Sequence, residues 1–392
     1  MKKPYLLLAV LTAALVISGC KNSQSSINST PQVASKTSRG SSSKKTNYTQ
    51  VPDMPETYAN KDLEKIANYI SQTHETNPEY CKATDPSIRG TVSKIDYKTR
   101  AYAYEKYFNI DLGEIDKHFY IYTPHGYDPN DKETKYSTLF LIHGGSEETE
   151  YWFRMETEKD DQGPVGEGFV VRLLDNMIAQ KVIEPLIVVA PALYVDVGEY
   201  HAYDRGGLDR RHGDIKTKND PTKVCTSVQT AWTDEFNKEI RNDILPIVDG
   251  QYNTYADREH RGIGGTSMGS ITTLRSGLWL GNDLFSWYAP MSAGFIAGNK
   301  EEELFKATDD IWNDITDNKT KDPEINMILN FCGTLDMAHE GHINCMNHLL
   351  KYAEPGTLTN GDNYAFFDIE EFDHNFDAWK YDLSLILQVF FR

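Results

Sequence analysis

Two stretches of this chain are apolar on both of their faces at once. Thr138-Leu139-Phe140-Leu141-Ile142 and Leu186-Ile187-Val188-Val189-Ala190 lack the polar alternation of a strand with one wet side. Such runs belong to strands buried on both faces, so helices must cover both sides of the sheet they join. The helices are legible between them. Val170, Leu173, Leu174, Met177 and Ile178 recur at i, i+3, i+4, i+7 and i+8, the spacing of a core-facing helix. Phe236, Ile240, Ile244 and Val248 mark another, read as starting at Thr233 with Asp234 and Glu235 in its first turn. Further apolar strands are expected at Gly262 to Gly264, Phe285 to Pro290, Ile325 to Phe331 and Tyr364 to Ile369. Ahead of them, Asp62 to His74 reads as a short helix and Gly90 to Thr123 as antiparallel strands. The alternation predicts an α/β fold with a mainly parallel central sheet and helices on both faces.

The folded part is preceded by two segments of another character. Lys2 and Lys3 lead into an apolar stretch from Tyr5 to Ile17, which ends in Ser18-Gly19-Cys20. A basic start, a short apolar core and small residues form an export signal, and the stretch is too short for a membrane-spanning helix. Ile17-Ser18-Gly19-Cys20 resembles the lipobox of bacterial lipoproteins, which implies lipidation at Cys20. From residue 21 to about 55 the chain is dominated by Ser, Thr, Asn, Gln and Lys, a composition that cannot offset the entropy of ordering. The expected organisation is therefore a lipoprotein signal over 1–20, a flexible tether over 21–55 and a single domain over 56–392. Residues 56–89 form an extension at the front of that domain. The predicted location is outside the cell, with the N-terminal lipid as the sole membrane contact.

Charge narrows the partners. The sequence has 40 Lys+Arg against 58 Asp+Glu, a net charge of −18, which repels polyanions and argues against nucleic-acid binding. Cys81, Cys225, Cys332 and Cys345 could form two disulfides outside the cytosol, and spacing does not rank the three pairings. Buried thiols are the alternative. No pair has the close spacing of a zinc site, and His339-Glu340-Gly341-His342 lacks the gap of an HExxH motif, so it reads as loop. The connection from Val195 to Thr230 is abnormally long, either a cover over a cleft or a solvated decoration.

One motif carries chemistry. Gly265-Thr266-Ser267-Met268-Gly269 matches G-x-S-x-G, follows a short apolar stretch and precedes a helical pattern through Ile271, Leu274 and Leu278. In that setting the serine sits on a sharp strand-to-helix turn, and flanking glycines let the two backbones approach. A serine hydroxyl needs a base oriented by a carboxylate. Of His339, His342, His348 and His374, only His374 lies in a loop between the last predicted strand and the last helix. His348 falls in a helix. For the acid, Asp336 ends the segment directly after the strand at Ile325 to Phe331, on the rim where such sites assemble. Asp368 and Asp373 are the other candidates. The oxyanion donors are expected to be the backbone N–H groups of Met268 and Gly145, the latter in Leu141-Ile142-His143-Gly144-Gly145. His143 reads as a packed loop residue. Trp152, Tyr194 and Tyr203 could stack on a sugar or an aromatic acyl group. None of this chemistry calls for a metal or organic cofactor.

Tyr122-Thr123-Pro124-His125-Gly126-Tyr127-Asp128, Leu141 to Gly145, and Asp257-Arg258 with Ser267-Met268-Gly269 resemble carbohydrate esterase family 1, the esterase-D-like α/β-hydrolases. Phe236 to Pro246 and His374 with Trp379 after it follow that family's order. The similarity covers about Gly90 to Arg392; Ser270 stands where a glycine is often found, and the segment from Val195 to Thr230 is unfamiliar. The resemblance implies an α/β-hydrolase fold, a Ser267, Asp336, His374 triad and no cofactor. It implies feruloyl esters of plant cell-wall polysaccharide as substrate, with acetylxylan esters or acyl transfer to an alcohol as alternatives. A non-catalytic polysaccharide-binding lipoprotein is the rival of another class.

Overall fold

The computed structural model describes residues 55–392 except 56, 110, 146, 157–162, 198–199, 202–227, 298–299, 318–323 and 354–356. The export signal with Cys20, the tether up to residue 54, Cys225, Tyr203 and most of the long connection lie outside the described residues. The eight strands of the main sheet are β1 (Thr91–Arg100), β2 (Glu114–Thr123), β3 (Ser137–Ile142), β4 (Leu186–Pro191), β5 (Arg261–Thr266), β6 (Trp287–Met291), β7 (Met327–Gly333) and β8 (Tyr364–Ile369). Their order across the sheet is β1-β2-β4-β3-β5-β6-β7-β8. β2 runs antiparallel to both β1 and β4, and every pairing from β4 to β8 is parallel. The antiparallel pair at one edge is the Gly90 to Thr123 segment that alternates in sequence.

The doubly apolar strands face two cores. Phe140 and Ile142 of β3 point into one cluster, Leu139 and Leu141 into the other. Among the described residues, the covering layers are built mainly from α1 (Lys61–Ile70), α2 (Phe169–Ala179), α3 (Val228–Glu239), α4 (Met268–Thr272), α5 (Glu301–Asp317), α6 (His339–Tyr352) and α7 (Phe376–Ile386). Residues of α3, α4, α5 and α6 fill the first cluster, and residues of α1, α2 and α7 the second. The fold is α/β with helices on both faces.

Three readings change at the level of single elements. α3 starts at Val228, ahead of Thr233, and continues through a π turn (Ile240–Ile244) into Leu245–Gln251. Asp234 and Glu235 therefore do not serve a helix start. Asp234 makes a two-pronged ion pair with the buried Arg275, at 2.5 and 2.8 Å, and Glu235 pairs with Lys106 and Lys238. His339 to His342 is the first turn of α6, with His339 Nε2 2.9 Å from Asp368. Finally, Cys81, Cys332 and Cys345 are free thiols, so no disulfide forms among them. Of the long connection, Asp196–Val197 and Tyr200–His201 pair as a short antiparallel ribbon.

Arg275 ties the helical continuation after Ser267 to α3 inside the core, and its partner sits with it out of water. Removing one member of such a pair strands the other charge. Asp234→Ala should lower the unfolding free energy by ~3–5 kcal/mol. Urea titration followed by circular dichroism measures this; a loss below about 1 kcal/mol, the range of a surface pair, would contradict it.

Candidate active site

Ser267 leaves β5 and enters α4 with φ 53° and ψ −112°, a conformation that L-residues rarely adopt. Its N–H donates to Met291 O on the neighbouring strand end (2.9 Å), and its carbonyl accepts from Ser270 and Ile271 (3.0 and 3.2 Å). The glycines on either side are there for space. A Cβ on Gly265 would stand 2.6 Å from Ile142 O, and one on Gly269 would stand 2.4 Å from the same oxygen. Both contacts are to backbone, which cannot swing aside. The elbow is thus pressed against the end of β3, where the His143-Gly144-Gly145 loop begins.

Asp336 and His374 come together from the ends of β7 and β8. His374 Nδ1 donates to Asp336 Oδ1 at 2.8 Å, and the same oxygen accepts the Ala338 N–H at 2.7 Å. Burial by itself would raise the Asp336 pKa. The hydrogen bond and charge of His374, with Ala338 and the Ser292 hydroxyl, outweigh that and hold it below the usual aspartate value. The loops carrying Asp336 and His374 are laced to each other. Leu335 N–H donates to Phe372 O (2.9 Å), Glu371 N–H to Thr334 Oγ1 (2.9 Å), and a Cβ on Gly333 would meet Phe372 O at 2.2 Å. The other candidate acids are engaged elsewhere: Asp368 with His339, and Asp373 with the backbone N–H of His374 itself (2.7 Å).

The His143-Gly144-Gly145 loop lies against the elbow. A Cβ on Gly145 would stand 4.0 Å from the Cβ of Met268 and 3.7 Å from the Tyr194 hydroxyl. Gly144 commits its N–H to Glu147 at 2.5 Å. His143 is a packed residue: Nδ1 faces Gly144 O (2.9 Å), Nε2 accepts the Leu193 N–H (3.1 Å), and burial pushes its pKa down to about 4. Tyr194 leans on that ring with centroids 5.5 Å apart and is half-buried at the site. Trp152 does not belong here. It is 0% exposed, packed beside Phe376 at 6.3 Å, and offers no face to a sugar. A large apolar ring between α2 and α7 gains more from burial than from solvent exposure.

Two residues have roles that motif reading does not assign. Ser292, the first residue after β6, takes the Trp379 Nε1–H on its hydroxyl at 2.9 Å. The Trp379 ring stands edge-on to the His374 ring, with centroids 5.1 Å apart and planes at 85°. The strand-end rule that singles out Asp336 would have found Ser292 if applied to β6 as well. Leu335 and Met337, on either side of Asp336, are each 64% exposed, so two apolar side chains stand open at the rim. Among the described residues, no group of three or more His, Cys, Asp or Glu could hold a metal ion.

A family model named Esterase matches residues 114–387. An endo-1,4-beta-xylanase Y of Acetivibrio thermocellus is 28% identical over 197 residues, 47% of this chain and 14% of that protein. An endo-1,4-beta-xylanase/feruloyl esterase of Xylanibacter ruminicola is 30% identical over 155 residues, 39% of this chain and 16% of that protein. The chain thus spans about a sixth of the length of these relatives. Among solved structures, a mutant feruloyl esterase module from Clostridium thermocellum, complexed with sinapinate, aligns with TM-score 0.56 at 22% identity. That match covers 81% of this chain and 93% of the module. A CE1 ferulic acid esterase from the anaerobic fungus Anaeromyces mucronatus aligns with TM-score 0.54 at 18% identity, over 81% and 96%. At these identities the likeness establishes the fold, that of the α/β-hydrolases.

The contact between β3 and the elbow permits a direct check. Gly269→Ala places a methyl group against two backbone carbonyls, Ile142 O at 2.4 Å and His143 O at 2.8 Å. It should destabilise the protein by ~1–3 kcal/mol or more, measured by thermal unfolding. An unchanged midpoint would show that the elbow has room the structure denies it.

Proposed function

The chain belongs to the esterase family, and on that premise we propose that it is a serine hydrolase of carboxylic esters, acting on feruloyl or related hydroxycinnamoyl groups of xylan-type polysaccharide. The observation that carries the reading is the His374–Asp336 hydrogen bond, formed on the sheet rim that also carries the strained Ser267 turn. Ser267 Oγ attacks the ester carbonyl and gives its proton to His374 Nε2. Asp336, bound to Nδ1, holds the ring in the tautomer that can accept it and stabilises the imidazolium. The N–H groups of Met268 and Gly145 receive the developing oxyanion, each worth ~2.7–4 kcal/mol of barrier. The alcohol departs with the proton from His374. Water, activated by the same ring, then releases the acid and restores Ser267.

The acyl preference rests on the rim. Leu335 and Met337 offer exposed apolar surface on either side of Asp336, which favours an aromatic acyl group over an acetyl. The names of the relatives, a xylanase joined to a feruloyl esterase and a feruloyl esterase module, support a xylan ester. The Lys2 to Cys20 segment supports export and attachment by a lipid at Cys20, which would put the enzyme in contact with polymers outside the cell.

Ser267→Ala should keep the fold and lose at least about 10⁴-fold in turnover of an aryl ester, and should no longer react with a fluorophosphonate probe. Retained turnover would remove the enzyme reading, and an unreactive parent protein would favour a binding role. The intact enzyme should hydrolyse methyl ferulate faster than acetylated xylan; the reverse ranking would reassign the acyl group. For the anchor, Cys20→Ala should move the protein from the membrane fraction to the soluble one, which immunoblotting of fractionated cells reads directly.

A further inference from the structure

Asp336 has two oxygens, and the bonds described so far use one. Oδ1 takes both the His374 Nδ1–H and the Ala338 N–H. Oδ2 is buried and has no partner at normal hydrogen-bond distance. A buried carboxylate oxygen seldom stays unpaired, because desolvation without a donor is costly. The hydroxyl that acts on this carboxylate is Ser292. Its oxygen already accepts the Trp379 Nε1–H, so its own proton is available to donate. The backbone places it deliberately. Ser292 has φ +63°, its N–H is bound to Phe331 O at 3.0 Å, and it is 2% exposed. A non-glycine residue held in the left-handed region inside a core marks a strained position that the surroundings over-determine.

We propose that Ser292 is a positioning residue: its hydroxyl donates to Asp336 Oδ2 and completes a relay from Trp379 through Ser292 and Asp336 to His374. Trp379 closes the circuit, because it fixes the Ser292 oxygen with its indole N–H and packs its ring against the imidazole at the far end. The serine thereby locks the carboxylate plane, which in turn fixes the ring that serves Ser267. The inference rests on the esterase reading above. The other titratable groups facing Asp336 are His339 and His342 of α6, Asp382 of α7 and Cys332 of β7. None of them forms a hydrogen bond to the carboxylate in this structure.

The hydroxyl can be removed without straining the backbone, since glycine accepts a positive φ. Ser292→Gly should fold, with a circular dichroism spectrum like that of the parent. Its kcat for an aryl ester should fall about tenfold or more while KM changes less than about twofold. Without the donor, the negative charge of Asp336 is less stabilised and the Asp336–His374 pair binds its proton more tightly. The acid limb of the kcat profile should therefore move to higher pH, an effect that lost packing alone would not produce. Trp379→Phe keeps an aromatic, if smaller, ring beside the imidazole and removes the N–H, and should move the limb in the same direction by less. A folded Ser292→Gly with parental kcat and an unmoved acid limb would overturn the proposal. So would a loss of kcat with no shift in either variant. If Ser267→Ala also kept its activity, the esterase reading would fall with it; if Ser267→Ala were inactive, the role of Ser292 alone would fall.

Discussion

The rim of this sheet depends on one close approach of backbone to backbone. The carbonyl of Ile142, at the end of β3, lies where a Cβ on either Gly265 or Gly269 would have to stand. That contact does two things at once. It presses the Ser267 turn into a sharp angle, and it brings the loop that starts at His143 beside the first residue of α4. The pairing of Gly145 with Met268 follows from it, because Met268 is one position and Gly145 three positions from the contact. Side-chain chemistry does not enter until this geometry exists. A methyl group on either glycine would push apart the serine and the loop proposed to receive the oxyanion.

Sharp turns recur along the same edge. Ser267 after β5, Ser292 after β6 and Glu371 after β8 all have positive φ without being glycine. The end of β7 solves the same problem differently, with Gly333 pressed against Phe372 O. Each turn costs of order 1–3 kcal/mol, and something must hold it in place. Here the holders are main-chain bonds between neighbouring strand ends: Ser267 N–H to Met291 O, Ser292 N–H to Phe331 O and Thr334 N–H to Ile369 O. The sheet transmits its own regularity one residue beyond its last rung. Side chains far apart in sequence therefore emerge at fixed spacing, and the core below, with Arg275 anchored to Asp234, resists any relaxation.

The sequence is most legible where a local rule and the tertiary outcome agree. Continuous apolar runs require burial on both faces, and β3 and β4 have it. Gly265 and Gly269 are legible because the motif's turn has one steric solution. Misreadings arise where a long-range partner overrides a local signal. Asp234 and Glu235 look like first-turn acids, but a buried arginine and Lys106 claim them from outside the helix, and Lys238 pairs with Glu235 from within it. His339 to His342 has no helical periodicity of its own, and is helical because Asp368 and the core below take its side chains. Trp152 is as aromatic as any ligand-stacking residue; only its neighbours make it core. Ser292 is illegible for the opposite reason, since a serine after a strand is ordinary until Trp379 and Asp336 are seen beside it.

Environment also sets His374, the proposed base, apart from the other histidines named as candidates. His143 and His342 are fully buried, which lowers their pKa to about 4 and about 3 and leaves them neutral through the working range. His339 and His348 stand beside carboxylates, but each turns Nε2 to its acid, at 2.9 and 2.6 Å. His374 alone among these turns Nδ1 to a carboxylate, so its Nε2 stays out of that bond. An imidazole anchored through Nδ1 can take a proton on Nε2 and return it without breaking its link to the acid. One anchored through Nε2 would have to offer the more crowded nitrogen, next to its own Cβ branch. The choice of nitrogen, set by the spacing of the β7 and β8 loops, therefore separates the proposed base from four histidines that pack or pair in other ways.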